Sequence, residues 1–443
     1  MTSASGDSVQ VRPQHKRAAL GAFSGQAIEY YDFYLYGTAA ALVLGKLFFP
    51  SDNPVAGTLA AFATFAAGFL LRPLGAIVFG HYGDRLGRKR VLVVTLLMMG
   101  SATTLIGLLP TYATAGVWAP IALVFLRCVQ GFALGGEWGG ASLVSVEHAP
   151  KGKAAFYGAI PQLGSPAGLL LSTAMVLLMG FMSDEAFHSY GWRIPFLVSA
   201  ALLVVGLLIR AGIDETPDFV KVQRDRKQVT VPLAELFKTC KKPLLIGLSA
   251  AMLTSGGYFL VNTFVVSYAV EELGLDRSIG LIGQIITSAI QGCLILVIGL
   301  WASTRKPRFL AGAGAALVAA WAFPLFGLLN TEIPVAIWFG QGVATMFQTG
   351  LWAMLPALLA AQFPAHLRYT GISLCYQGAS LLGGFTPLVA TFLVSQTQAS
   401  WPAALLLMVL GTVSAIGCFA AVGNSVDLSK RQEQQPERGY SRT

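Results

Sequence analysis

Charge is scarce in this chain: only 12% of its 443 residues are Asp, Glu, Lys or Arg, about half the share of a soluble domain. That excludes an ordinary soluble enzyme and a disordered chain. Cysteines are few, five in all, scattered singly at Cys128, Cys240, Cys293, Cys375 and Cys418 with no C-x-x-C pair. A secreted disulfide scaffold is excluded and a metal site is not expected. No GxxxxGK[ST] occurs, and no soluble stretch could house a nucleotide-binding domain, so ATP cannot drive this chain directly. No cleavable signal peptide is expected, because the first apolar run carries Glu29 and Asp32, which suits no signal core.

Apolar residues are what the chain has instead. They make up 55% of it, with a mean hydropathy of +0.64, more than a soluble core can absorb, so they must face lipid. A span needs about 20 mostly apolar residues. Twelve are expected, at 18–46, 56–81, 91–110, 117–146, 154–181, 192–211, 243–269, 279–301, 309–328, 333–361, 369–395 and 401–422. Helices are required there, since a helix satisfies its own backbone in lipid. The 49 glycines and 21 prolines suit close helix packing.

The net charge of +9 comes from 30 Lys+Arg against 21 Asp+Glu. A nucleic-acid partner would need a basic patch on a soluble domain; here the positive charge lies between apolar runs. With the N-terminus inside, 25 of the 30 Lys+Arg fall in inside segments and three outside, which places both termini in the cytoplasm. Residues 1–17 then form an N-terminal tail, 18–211 a first six-helix bundle and 212–242 a polar linker. Residues 243–422 form a second bundle and 423–443 a C-terminal tail. Two six-span halves around a linker are the plan of parallel-repeat secondary transporters.

Charges within spans are costly and are candidates for function. Glu29 and Asp32, in GQAIEYYDFYLYG, sit near mid-membrane on a stripe with Gln26, Phe33 and Tyr36. Two carboxylates one turn apart repel, which leaves one able to take a proton. They are candidates for proton coupling; the alternative is a structural ion pair with a neighbouring helix. Arg127, in RCVQGFALGGEWGGAS, lies at similar depth with Gln130, Trp138 and Glu137 near its face. A guanidinium fork fits a carboxylate in two bonds, so Arg127 either meets a substrate carboxylate or is neutralised by Glu29 or Asp32. Glu137 reads as a further protonatable site, an inner gate or a structural bond. Gly131, Gly135 and Gly139 recur every four residues, as do Gly136 and Gly140, which reads as tight packing. Arg72, before Pro73, is expected to pair with a carboxylate in the inner half.

The second half has no charge inside its spans. It offers Tyr258, Asn262, Gln284, Gln291, Gln341, Gln348, Trp352, Tyr376 and Gln377. Each is a contact for a hydroxylated or ring-shaped solute, or a hydrogen bond between helices. Among them Tyr258, Asn262, Gln348, Trp352 and Gln377 join Arg127, Gln130, Tyr36 and Trp138 as the expected substrate residues.

GHYGDRLGRKR at 80–90 resembles the G-x-x-x-D-R-x-G-R-[RK] signature of the major facilitator superfamily. IEYYDFYLYG, RPLGA, RCVQGFALGGEWGGAS, GWRIPF and DETPDF resemble its metabolite:proton symporter family, whose members carry shikimate, 2-oxoglutarate, citrate, or proline and betaine. GGEWGGASLVSVEHAPKGKAAFYG most resembles the shikimate-transporter branch. The resemblance implies an all-α membrane protein of twelve helices in two six-helix bundles, alternating access, and proton-driven uptake across a bacterial inner membrane. It points to Glu29, Asp32, Arg127 and the loop with Gly80, Asp84, Arg85, Gly87, Arg88 and Arg90 as functional. The equivalent loop GLWASTRKPRF departs from the pattern: Ser303 stands near the missing Asp, while Arg305, Lys306 and Arg308 remain. The expected function is symport of a small organic acid with protons by a monomer that needs no cofactor. Dicarboxylates, tricarboxylates and proline or betaine are the alternative solutes. An intramembrane enzyme lacks a nucleophile–base pair or metal ligands at depth.

Overall fold

The structure is a computed structural model that describes residues 15–50, 54–150, 152–179, 181–212, 214–224, 232–302 and 306–421. Most of both expected tails, part of the linker, and Ser303 and Arg305 lie outside the described residues.

Twelve helical spans run through the described residues. In the first half, α1 spans His15–Ala39 and continues through a π turn, Ala40–Leu44, to Gly45–Phe48. α2 is Pro54–Leu86, α3 Arg88–Leu108 and α4 Trp118–Glu147. α5 joins Ala154–Ala159 to Gly164–Met179 through a 3₁₀ turn, Ile160–Leu163; α6 is Arg193–Ala211. In the second half, α7 runs Lys241–Tyr258, then a π turn Phe259–Phe264, then Val265–Glu271. α8 is Arg277–Trp301, α9 Pro307–Leu329 and α10 Pro334–Ala360. α11 joins Arg368–Gly384 to Thr386–Thr397, and α12 is Trp401–Ala420.

Local chemistry sets these limits. Pro307 and Pro334 open α9 and α10, where a missing N–H costs nothing. Asp276 caps α8 by accepting from the Ser278 N–H at 2.8 Å, a standard N-cap bond. Large apolar side chains such as Phe125, Leu208 and Leu388 are more than 60% exposed on the outer surface. No soluble protein leaves such a belt in water; it is the lipid face.

Two corrections concern the connections. Residues 82–90, expected as a loop, are almost wholly helical: α2 runs to Leu86 and α3 starts at Arg88. Gly87 alone reverses the chain, at φ +109°, a conformation that favours glycine. Residues 212–242 are not plain linker either, but hold two short helices, Pro217–Arg224 and Pro232–Thr239.

The glycine stripe of α4 serves two contacts. A methyl group on Gly131 would strike the Gly68 carbonyl of α2, and one on Gly135 the Arg72 carbonyl. Gly136 meets Phe79, also of α2, whereas Gly139 and Gly140 turn toward Ser373 and Tyr369 of α11. One face of α4 is therefore packed within its half and another against the opposite half. α2 with α11 and α5 with α8 make further contacts between the halves.

Candidate functional site

A cavity of about 60 Å³ lies between the halves, room for a few waters. α1, α2, α4 and α5 supply Glu29, Tyr30, Phe33, Tyr34, Phe69, Arg72, Leu134 and Ser165. The second half supplies Thr254, Ser255, Tyr258, Phe259, Gln291, Gln348, Trp352, Tyr376 and Gln377. Of the expected residues, Glu29, Tyr258, Gln348, Trp352 and Gln377 meet here. The charge is all from the first half and the amides are all from the second.

Hydrogen bonds across this space link the halves. Tyr34 Oη donates to Tyr258 Oη at 3.1 Å, and the Tyr30 and Tyr376 hydroxyls lie 3.5 Å apart. Gln377 Nε2 donates to the Leu134 carbonyl at 3.0 Å, and its Oε1 has no partner among the described residues. Glu29 accepts from Gln26 Nε2 at 2.8 Å.

The other expected residues lie outside the lining. Asp32 is fully buried and accepts from Ser199 Oγ at 2.6 Å. Arg127, expected either at a substrate carboxylate or neutralised by Glu29 or Asp32, is not among the residues that line the cavity. It lies over the Tyr36 ring at 3.8 Å and donates to Gln130 Oε1 at 2.7 Å; Gln130 in turn donates to Thr103 Oγ1 at 2.7 Å. The Tyr36 hydroxyl is bonded to Thr64. These side chains form a second polar cluster, separate from the cavity walls.

Glu137 forms a buried ion pair with Arg210 and accepts from Thr95 Oγ1 at 2.5 Å. Arg210 also bonds the Leu92 carbonyl. Of the readings open for Glu137, the structural bond to neighbouring helices matches this geometry. The expected carboxylate partner for Arg72 is absent among the described residues.

Asn262 lies within the π turn of α7 rather than in the cavity. A π turn displaces backbone carbonyls from their helical partners. Gln341 Nε2 donates to the Val261 carbonyl and Gln284 Nε2 to the Asn262 carbonyl, each at 2.9 Å. Thr287 Oγ1 donates to Asn262 Oδ1 at 2.8 Å. Trp138 stacks on Tyr376, itself a cavity residue, with ring centroids 3.8 Å apart. Its Nε1 donates to Gln162 Oε1 at 3.2 Å, and Trp352 Nε1 donates to the Gln162 carbonyl at 3.4 Å. Sequence reasoning missed Gln162; the preceding Pro161 inside an apolar run was the available signal.

At the end where α2 meets α3, a charged network shuts the halves together. Asp84 Oδ1 accepts from the Tyr369 N–H at 3.2 Å, and Oδ2 accepts from Thr370 N–H and Oγ1 at 3.0 and 2.8 Å. A carboxylate of one half thus caps a helix of the other. Gly80 and Gly83 let α2 approach Thr370 and Tyr369. Arg88 Nη1 donates to Glu147 at 2.6 Å and to Thr216 Oγ1 at 2.6 Å, and its Nη2 to the Ala365 carbonyl at 2.8 Å. Arg368 Nη1 donates to Glu147 at 2.8 Å and to Asp218 at 2.7 Å. Glu215 accepts from the Arg88 N–H at 3.0 Å. Arg85 and Arg90 are exposed at the rim.

Residues 22–342 match the Major Facilitator Superfamily, and the chain belongs to it. It is 42% identical to the Shikimate transporter of Escherichia coli (strain K12) over 407 residues, covering 89% of this chain and 92% of that one. It is 34% identical to the Proline/betaine transporter of Salmonella typhimurium, covering 90% and 82%. Among solved structures, it matches the proton:xylose symporter XylE bound to 6-bromo-6-deoxy-D-glucose with a TM-score of 0.76 at 14% identity, over 94% and 98% of the two chains. This chain is a multi-pass membrane transporter and not an enzyme.

Proposed function

We propose that this chain is a proton-coupled symporter. It imports a small hydroxylated organic acid, shikimate-like in shape and charge, by alternating access across a bacterial inner membrane, with both termini in the cytoplasm. The observation that carries the reading is Glu29: a carboxylate outside any ion pair among the described residues, on the wall of the cavity that divides the halves. A carboxylate there can take a proton in one orientation and release it in the other. Gln348 and Gln377 supply amides suited to hydroxyl groups, and the aromatic walls suit a ring. Asp32, in the adjoining cluster with Arg127, is a second proton carrier.

In the proposed cycle, proton and solute enter while the charged face is shut. The cavity is too small for a ring-sized solute as it stands, so its walls part on loading. Release requires the Asp84–Thr370 and Arg368–Glu147 bonds to break as the halves rock. A second reading, uptake of proline or betaine, is favoured by the many aromatic faces of the cavity, which can hold a quaternary ammonium.

The test is uptake of labelled shikimate into proteoliposomes with an inward proton gradient, with and without a protonophore. Accumulation that collapses with the protonophore supports symport of an organic acid. Betaine accumulation without shikimate uptake favours the second reading.

A further inference from the structure

Three arginines elsewhere in this fold have carboxylates, whereas the buried Arg127 lies over the Tyr36 ring and donates to Gln130. Arg88 and Arg368 meet Glu147, and Arg210 meets Glu137. Arg72 has none among the described residues, although it lines the cavity on the same wall as Glu29. Its guanidinium lies over the Phe69 ring at 4.1 Å and the Phe33 ring at 5.0 Å. Its Nε is buried with no hydrogen-bond partner among the described residues.

Ring faces attract a guanidinium but take none of its in-plane N–H donors. Two aromatic side chains therefore hold Arg72 in place without engaging its donor fork. A cation kept at depth in this way is a site prepared for an anion, and a carboxylate is the anion that fits the fork in two bonds. We propose that Arg72 is the anchor for the carboxylate of the transported solute, a role the sequence had suggested for Arg127. This rests on the reading of the cavity as the solute site. The amides of the second half then read the rest of the molecule from across the cavity. Anchoring by Arg72 also explains how solutes as different as a hydroxylated ring acid and a betaine could share one cavity: both carry a carboxylate.

The test compares an acid with its uncharged ester on purified full-length protein. Binding of shikimate and of its methyl ester is measured by calorimetry for wild type, Arg72→Gln and Arg127→Gln, with a dicarboxylate and betaine alongside. Thermal unfolding checks that each variant is folded. Hydrogen bonds to a charged group are worth about 10–100-fold in affinity, so wild type prefers acid over ester by about that factor. Arg72→Gln abolishes the preference and Arg127→Gln keeps it. Arg72→Lys, which retains charge without the fork, restores part of it. An undiminished preference in Arg72→Gln, or its loss in Arg127→Gln alone, overturns the anchor and leaves the organic-acid reading standing. A wild type that binds none of these solutes overturns both.

Discussion

Asp84 of the first half and Thr370 of the second are joined twice: one carboxylate oxygen, Oδ2, accepts from both the Thr370 N–H and its hydroxyl, at 3.0 and 2.8 Å. The bond is local to neither half. In the proposed cycle it breaks when the charged face opens, so its strength would bias the equilibrium between the two orientations.

Substituting Asp84→Ala should therefore open that face. Bonds to a charged group contribute about 1.5–3 kcal/mol, enough to shift the shut population by tens-fold. In a background free of other cysteines, Ser373→Cys on α11 reports the change through its alkylation rate. We expect faster labelling with Asp84→Ala and slower net uptake. Unchanged labelling would show that the remaining ion pairs hold the face alone.

Glu29→Gln should separate exchange from accumulation. An amide keeps the size and much of the hydrogen bonding but cannot carry a proton. With one proton per solute, a gradient of one pH unit supports about tenfold accumulation. That accumulation should vanish while solute counterflow persists. Comparing Asp32→Asn in the same assay tells which carboxylate couples: whichever variant retains accumulation is not the carrier.

Arg210→Met should be among the most destabilising single changes in the first half. It strands Glu137, whose side chain is 5% exposed, and breaking a buried pair from one side costs about 3–5 kcal/mol. The double variant Glu137→Gln with Arg210→Met should recover much of the loss. Thermal unfolding of the detergent-solubilised proteins reads both. Full loss in the double variant would mean that Arg210 acts through its bond to the Leu92 carbonyl instead.

Two Gly→Ala changes test the packing. At Gly131 the new methyl strikes the Gly68 backbone, which cannot rotate away, and overpacking of this kind costs about 1–3 kcal/mol. At Gly327 nothing lies within 4 Å, and alanine is the better helix former by about 1 kcal/mol. Unfolding temperatures should fall for the first and hold or rise for the second.

Much of this molecule is determined by its sequence alone. The expected spans 117–146 and 401–422 correspond to Trp118–Glu147 and Trp401–Ala420, because burial in lipid depends on local hydropathy and length. Asp84 was singled out by a motif of fixed spacing, and it lies at the contact between the halves. What sequence cannot specify is which way a span turns. A helix with lipid on one side and protein on the other is apolar on both, so no periodic pattern marks its inner face. Arg72 and Arg127 both lie within spans, on adjacent helices; only tertiary packing turns the first into the cavity and the second toward Tyr36 and Gln130. Arg210 counted as one more basic residue at a span end until the fold placed Glu137 beside it. Glu147, Arg368 and Asp218 lie far apart in the chain, and the approach of the two halves alone makes them a network.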